Sequence, residues 1–314
     1  MYRTILAAVF VAAGLGTGSV RAVSIQVLAP GGSLFGEALG IDGNNVVGTT
    51  GSVGFLYDGS AYTKIFYPGS TETSANGISG NKIVGDYRSG GLRHGFVFDG
   101  SAYTPLDHPL GTKGTYAFGV SGNNVVGEYI DASNKAHGFL YDGTTWSTLD
   151  FPKAAGTIAR GVDGGNVVGL YADASSKLHS FLYDGTTWTT VQDSLFTTTA
   201  YDVSGSQIVG QNSANSGIIN FGFLYDGSTF NYPLSIGFSG FIDGKFAGGN
   251  AWFGYKYYGI SGNKIVGSYH DQFYGLERPF ILTIPEPSTF ALAAFAAGGL
   301  LFFVSRQRSR ASLR

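Results

Sequence analysis

The body of this chain is one short module written over and over. The phrase Gly54-Phe-Leu-Tyr-Asp-Gly59 returns at Gly95–Gly100, Gly138–Gly143, Ser180–Gly185 and Gly222–Gly227. A second phrase, Gly77-Ile-Ser-Gly-Asn-Lys-Ile-Val-Gly85, has relatives at Gly40–Gly48, Gly119–Gly127, Gly161–Gly169, Asp202–Gly210 and Gly259–Gly267. The aspartates of the first phrase, Asp58, Asp99, Asp142, Asp184 and Asp226, stand 41, 43, 42 and 42 residues apart. So regular a period means one supersecondary unit copied along the chain, and it overrides any division into domains by length.

Each unit reads as four short strands. His137 to Tyr141 is the first, turned by Asp142-Gly143. Trp146 to Phe151 is the second, stopped by Pro152, and Ala159 to Val162 is the third. Gly164-Gly165 then turns the chain into the fourth, Asn166 to Tyr171. Both alternating sets along Phe139-Leu140-Tyr141 and Asn124-Val125-Val126 are apolar, so these sheets must be covered on both faces. Four-stranded sheets stacked face to face around an axis satisfy that demand, which predicts an all-β fold, a β-propeller. The body opens at Ser24–Leu28, which matches a second strand, and closes at Pro279–Thr283, which matches a first. Strands from opposite ends of the chain should therefore complete one blade, giving six. An irregular stretch from Phe241 to Tyr258 holds a worn copy of the second phrase at Ile242–Gly248, so a rudimentary seventh unit is the alternative.

The composition agrees. Glycine is abundant at 50 residues, aromatics make up 15% and charged residues only 13%, the reverse of a disordered chain. Cysteine is absent, which excludes disulfides, zinc–thiolate sites and thiol catalysis. Six of the 19 basic residues lie at the two ends, so the body keeps 13 against 20 acids, with no basic stripe for nucleic acid.

Both ends read as targeting segments. Arg3, an apolar run from Ile5 to Leu15 and the small-x-small site Val20-Arg21-Ala22 predict a signal peptide over residues 1–22, formed as an N-terminal signal helix. The repeat domain then covers 23–284. At the other end Pro285-Glu286-Pro287 precedes an apolar stretch, Thr289–Val304, and then Arg306, Arg308 and Arg310. About 16 residues at a rise of 1.5 Å span roughly 24 Å, enough for a short single transmembrane helix over 289–304. The arginines should stay on the cytoplasmic side and hold the body outside the inner membrane.

The tripartite tail over 285–310 resembles the PEP-CTERM sorting signal of Gram-negative bacteria. That resemblance implies an exosortase as processing partner, with Pro285, Glu286 and Pro287 recognised by it, and a link to exopolysaccharide or biofilm at the cell surface. The body is similar to the extracellular HAF repeat, on His137-Gly138-Phe139, Leu149-Asp150-Phe151-Pro152 and the phrase from Gly161 to Gly169. That family brings no established activity.

No reaction declares itself. His94, His137 and His179 recur at one place in successive units, which favours a structural role over a metal cluster, and His108 and His270 stand alone. Each Asp-Gly turn offers a single carboxylate, and Asp131–Lys135 and Asp173–Lys177 add one acid and a lysine each. Turn chemistry explains these better than calcium. Glu37, Glu72, Glu128 and Glu277 show no local pairing of the kind a glycosidase needs, and no Gly-x-Ser-x-Gly elbow occurs. Neither a metal nor a cofactor is expected. Most aromatics, including Trp146, Trp188 and Tyr171, fall at repeat positions and read as core. The exceptions are Trp252, Phe253, Tyr255, Tyr257 and Tyr258, a cluster able to stack on sugars and the candidate glycan-binding patch. The expectation is an exported, membrane-anchored cell-surface or extracellular-matrix protein without enzymatic activity. A carbohydrate-binding propeller is the first alternative, and a polysaccharide hydrolase or lyase with acids at the channel mouth the second.

Overall fold

In every copy of the second phrase an Ile/Val-Val pair puts consecutive side chains on opposite faces of a strand, and this pair dictates the architecture. In a computed structural model, which describes residues 6–9, 23–32, 35–214, 219–232, 254–271 and 275–284, each such pair feeds two different cores. Val46 packs with Val266 and Ile281, whereas Val47 packs with Ile83 and Phe96. Val84 joins Val125 and Phe139, and Val126 joins Val167 and Phe181. Val168 then joins Ile208 and Phe223, and Val209 joins Ile265 and Phe280. The last core hands on to Val266, which returns to the first. Six shared cores make a closed circle.

The strands follow in chain order. After β1 (Leu6–Val9) and β2 (Val23–Val27) comes a 3-10 turn at Pro30–Gly32. Blade one holds β3 (Glu37–Asp42), β4 (Asn45–Thr50), β5 (Val53–Tyr57) and β6 (Tyr62–Ile65). Blade two holds β7 (Glu72–Ser79), β8 (Lys82–Ser89), β9 (Leu92–Phe98) and β10 (Tyr103–Pro105). Blade three holds β11 (Gly114–Ser121), β12 (Asn124–Ile130), β13 (Ala136–Tyr141) and β14 (Trp146–Leu149). Blade four holds β15 (Gly156–Asp163), β16 (Asn166–Ala172), β17 (Leu178–Tyr183) and β18 (Trp188–Val191). Blade five holds β19 (Thr197–Ser204), β20 (Gln207–Ala214), β21 (Ile219–Tyr225) and β22 (Phe230–Asn231). Blade six is built from β23 (Tyr255–Ser261), β24 (Lys264–Asp271), β25 (Leu276–Thr283) and, as its outer strand, β2.

The protein is therefore a six-bladed propeller of antiparallel four-stranded sheets, closed by both ends of the chain. Ser24, Ile25, Gln26 and Val27 pair with Thr283, Leu282, Ile281 and Phe280. The rudimentary seventh unit is not needed for closure, because blade six meets blade one directly. The Gly43 amide donates to Ser261 Oγ at 3.1 Å, as Gly122 does to Ser79 Oγ further round the ring. The worn copy at 242–248 lies outside the described residues.

One correction concerns phase. The unit read from sequence begins at His137, but the hydrogen-bonded sheet begins one hairpin earlier, at Gly114. A period reveals the length of a module, not its boundary. The true break is the loop after Leu149, which carries the chain from the outer strand of one blade to the inner strand of the next.

The repeated residues have local duties. The glycine ending each Ile/Val-Val-Gly lies directly across from the phenylalanine of the first phrase, as in Gly127↔Phe139 and Gly169↔Phe181. A methyl on Gly127 would sit 2.7 Å from Phe139 ring atoms, so only glycine lets the ring lie flat there. In the Asp-Gly turns, Asp142 Oδ1 accepts from the amides of Thr144 and Thr145 at 2.8 and 2.7 Å, while Gly143 takes φ +98°. The pattern repeats at Asp58, Asp99, Asp184 and Asp226, and these bonds hold every one of those carboxyls below the usual range. The aspartates belong to their own turns.

β1 falls inside the segment read as a signal peptide and runs antiparallel to β2 as a fifth strand of blade six. The rest of residues 1–22, and the sorting signal with its apolar stretch at 289–304, lie outside the described residues. Among the described residues no helix is long and apolar enough to cross a membrane. Thr283 pairs with Ser24, and the Ile284 amide donates to Asn263 O at 2.8 Å in the β23–β24 turn. The chain thus enters and leaves the ring side by side, at the end that carries the tight turns.

Candidate functional site: the axial cavity

The six inner strands, β3, β7, β11, β15, β19 and β23, each contain a β-bulge. Register shifts fall between Ala38 and Gly40, Ala75 and Gly77, Ala117 and Gly119, and Ala159 and Gly161. The remaining two fall between Ala200 and Asp202 and between Tyr257 and Gly259. A bulge leaves one residue unpaired and re-aims its side chain. Those residues are Leu39, Asn76, Phe118, Arg160, Tyr201 and Tyr258, and all six line a cavity of about 350 Å³ on the propeller axis. Beside them the backbones crowd together: a methyl on Gly77 would lie 2.7 Å from Phe118 O and 3.2 Å from Gly119 Cα. Glycine at five of the six ring positions lets the inner strands converge on one axis.

The lining is chemically mixed. The Tyr258 hydroxyl donates to Glu37 Oε1 at 2.8 Å, and the Tyr201 and Tyr258 rings meet edge to face at 5.0 Å. Asn76 Nδ2 donates to Asp86 Oδ1 and to Ala117 O, each at 2.9 Å. Asp86 also takes Arg93 at 2.8 Å, and Arg93 in turn meets Glu72. The Arg160 guanidinium lies 4.2 Å from the centre of the Phe118 ring and 6.0 Å from that of Tyr201, and its Nε is buried.

Burial raises three carboxyls here. Desolvation pushes Asp86 up against the opposing pull of Asn76 and Arg93. It raises Glu128 against the attraction of Arg160. Asp202, which replaces the ring glycine in blade five, is pushed up to about 7 by burial, although its carboxyl accepts the Ile260 amide at 3.0 Å.

The aromatic cluster read from sequence is divided by the fold. Trp252 and Phe253 lie outside the described residues. Tyr255 and Tyr257 are 8% and 0% exposed, packed against Phe280 in the core between blades five and six, so they cannot present a face to a sugar. The sequence reads them as a sugar-stacking patch because they stand in the irregular stretch Phe241–Tyr258, yet they belong to an ordinary inner strand. Tyr258 alone of the described members reaches the cavity. Pro285, Glu286, Pro287, Arg306, Arg308 and Arg310 lie outside the described residues.

The recurring histidines sit on different blades, each beside a carboxylate and a tyrosine. His94 meets Asp107 at 3.0 Å and His179 meets Asp173 at 2.9 Å. His137 bridges Asp150 and Asp131 at 2.7 and 3.3 Å. Their rings stack on Tyr87, Tyr171 and Tyr129. Among the described residues no group of three or more His, Asp or Glu side chains could hold a metal ion.

Sequence reasoning passed over Leu39, Asn76, Asp86, Phe118, Arg160, Tyr201 and Asp202. The signal was there. In Ala117-Phe118-Gly119-Val120-Ser121 and its counterparts, the residue after the alanine position is the one that varies most, with five residue types over six copies.

No family model matches the chain, and no curated protein matches it. Among solved structures, the β-propeller domain of the Trilobed protease from Pyrococcus furiosus, described as having an open velcro topology, is 9% identical. That match covers 83% of this chain and 91% of that one, with a TM-score of 0.49. The six-bladed fucose-recognising lectin of Aleuria aurantia is 19% identical over 60% of this chain and 72% of that one, TM-score 0.40. YCF48 bound to D1 peptide is 11% identical over 84% and 95%, TM-score 0.41.

Proposed function

We propose that this protein is an exported, non-enzymatic binding propeller that takes a carbohydrate ligand in its axial cavity. One observation carries the reading. Six equivalent positions, held by the same bulge in an otherwise repeated frame, bear five different residue types, and all converge on one space. Architecture alone would repeat there as it repeats elsewhere. Aromatic side chains at Phe118, Tyr201 and Tyr258, next to hydrogen-bonding groups on Asn76, Arg160 and Glu37, suit a polyhydroxylated ring with one apolar face. The cavity carboxylates Glu37 and Asp86 are engaged by neighbouring side chains, which favours binding over hydrolysis or elimination.

Export and tethering complete the proposal. A C-terminal segment beginning at Pro285 would leave from the turn end of the ring, beside the entry of β2, so a membrane helix at 289–304 would hold that end toward the inner membrane. Removal of residues 1–22 would take away β1 and leave blade six with four strands, like the other five. Exosortase processing would then pass the ring to the cell surface or its polysaccharide matrix.

Titration of the chain with extracellular polysaccharide fragments tests the site, with Phe118→Ala and Tyr258→Ala as controls. Saturable binding lost in both variants is expected; binding unchanged in both would remove the axial cavity from the account. Deletion of Pro285–Pro287 should alter localisation and molecular mass in cell fractions. Identical behaviour would sink the sorting claim alone.

A further inference from the structure

Among the described residues four charged groups line the axial cavity, and three of them are engaged. Glu37 accepts the Tyr258 hydroxyl, Asp86 accepts Asn76 and Arg93, and Asp202 accepts the Ile260 amide. Arg160 is the fourth. Among the described residues its guanidinium makes neither a hydrogen bond nor an ion pair, and its buried Nε has no acceptor. Glu128 feels its charge but stands beyond ion-pair reach. The Phe118 ring holds the guanidinium at 4.2 Å by a cation–π contact, which uses none of its N–H donors.

We propose that Arg160 anchors the carboxylate of an acidic sugar, a uronate, seated in the axial cavity. The inference rests on the carbohydrate reading above and narrows it. A planar fork of N–H donors matches a planar carboxylate through two parallel hydrogen bonds. The surroundings set the charge of the guest. Among the described residues Arg160 is the one unpaired cation beside Glu37, Asp86, Glu128 and Asp202, so one negative charge can be matched there and a second would be repelled. A phosphorylated sugar carries too much charge for this place. Tyr201 and Tyr258, whose rings line the same cavity beside Arg160, supply apolar surface for the rest of that sugar residue.

The experiment is calorimetric titration of the full chain with oligosaccharides containing glucuronate or galacturonate, with their carboxyl-reduced counterparts, and with sulfated neutral counterparts. The uronate should bind at least ~10-fold more tightly than its reduced form. Arg160→Gln should abolish that preference, whereas Arg160→Lys, which keeps the charge and loses the fork, should retain part of it. Raised salt should weaken the uronate more than the reduced sugar. Equal binding of acid and reduced sugars, or an undiminished preference in Arg160→Gln, overturns the uronate anchor and leaves a neutral-sugar site standing. Tighter binding of the sulfated form overturns the carboxylate assignment. Failure of the wild type to bind any of the sugars removes the carbohydrate reading together with this one. Thermal unfolding of both variants at the wild-type temperature certifies that lost binding is not lost fold.

Discussion

Asp202→Asn should make the protein more stable, but only above a certain pH. Five of the six inner strands carry glycine at this point of the axial ring; β19 carries an acid whose carboxyl takes the Ile260 amide of the next blade at 3.0 Å. In the unfolded chain that acid ionises near 3.8, whereas burial pushes it to about 7 in the fold. Between those values the native state holds a proton that the unfolded state has released. Stability therefore falls as pH rises through this window; the cost is absent below the lower value and complete above the upper one. At 1.36 kcal/mol per pH unit the whole excursion amounts to about 4 kcal/mol. The residue lines the cavity and is only partly buried, so the figure is discounted to about 2–4 kcal/mol. Asparagine keeps the shape and the acceptor without the charge. Wild type and variant should match near pH ~4, and the variant should lead by that amount near pH ~8. The turn aspartates, whose depressed values favour the fold as pH rises, are present in both proteins and cancel in the difference. Urea unfolding across the pH range gives each value from midpoint and slope. A constant offset between the two curves, or a wild type that leads at high pH, would refute the reasoning.

Two glycines five residues apart in blade three should fail for different reasons. A methyl on Gly127 would lie 1.9 Å from Tyr116 O as well as against Phe139, so Gly127→Ala should cost ~3 kcal/mol or more, by denaturant unfolding. Gly122→Ala has open space around it but φ +59°, and should cost only ~1–2 kcal/mol. Phe139→Ala removes a ring with no exposed surface from the core shared by blades two and three, and should cost ~3–5 kcal/mol in the same assay.

The fold was legible because its constraints repeat. The spacing of the Asp-Gly turns, the apolar pairs that demand cover on both faces, and the mismatch of Ser24–Leu28 with Pro279–Thr283 lead to a closed six-bladed ring. The phase was not legible, since a periodic string has no marked beginning and only the hydrogen bonds choose one. The site was hidden for a related reason. The recurring glycines and Ile/Val residues frame the cavity, and its chemistry comes from bulge positions whose side chains vary. Tyr257 and Tyr258 show how close the reading came. Set Gly259-Ile260-Ser261 beneath Gly119-Val120-Ser121, and Tyr257 falls on Ala117 while Tyr258 falls on Phe118, one core position and one cavity position. Their ring count suggested a sugar-binding surface; their register divides them.

Joining the two ends of the ring covalently tests its closure most directly. The chain has no cysteine of its own, so Ser24→Cys with Thr283→Cys introduces a unique pair at facing positions on β2 and β25. Facing residues of antiparallel strands are about 4.5–5.5 Å apart at Cα, within the reach of a disulfide. Mild oxidation should give one intramolecular bond in a monomer, with faster migration on a non-reducing gel and an unfolding midpoint that rises and reverts with reductant. Two thiols that stay free under oxidation, or chains cross-linked only to one another, would mean that the outer strand of blade six is not the N-terminal one and that the ring is not closed as described.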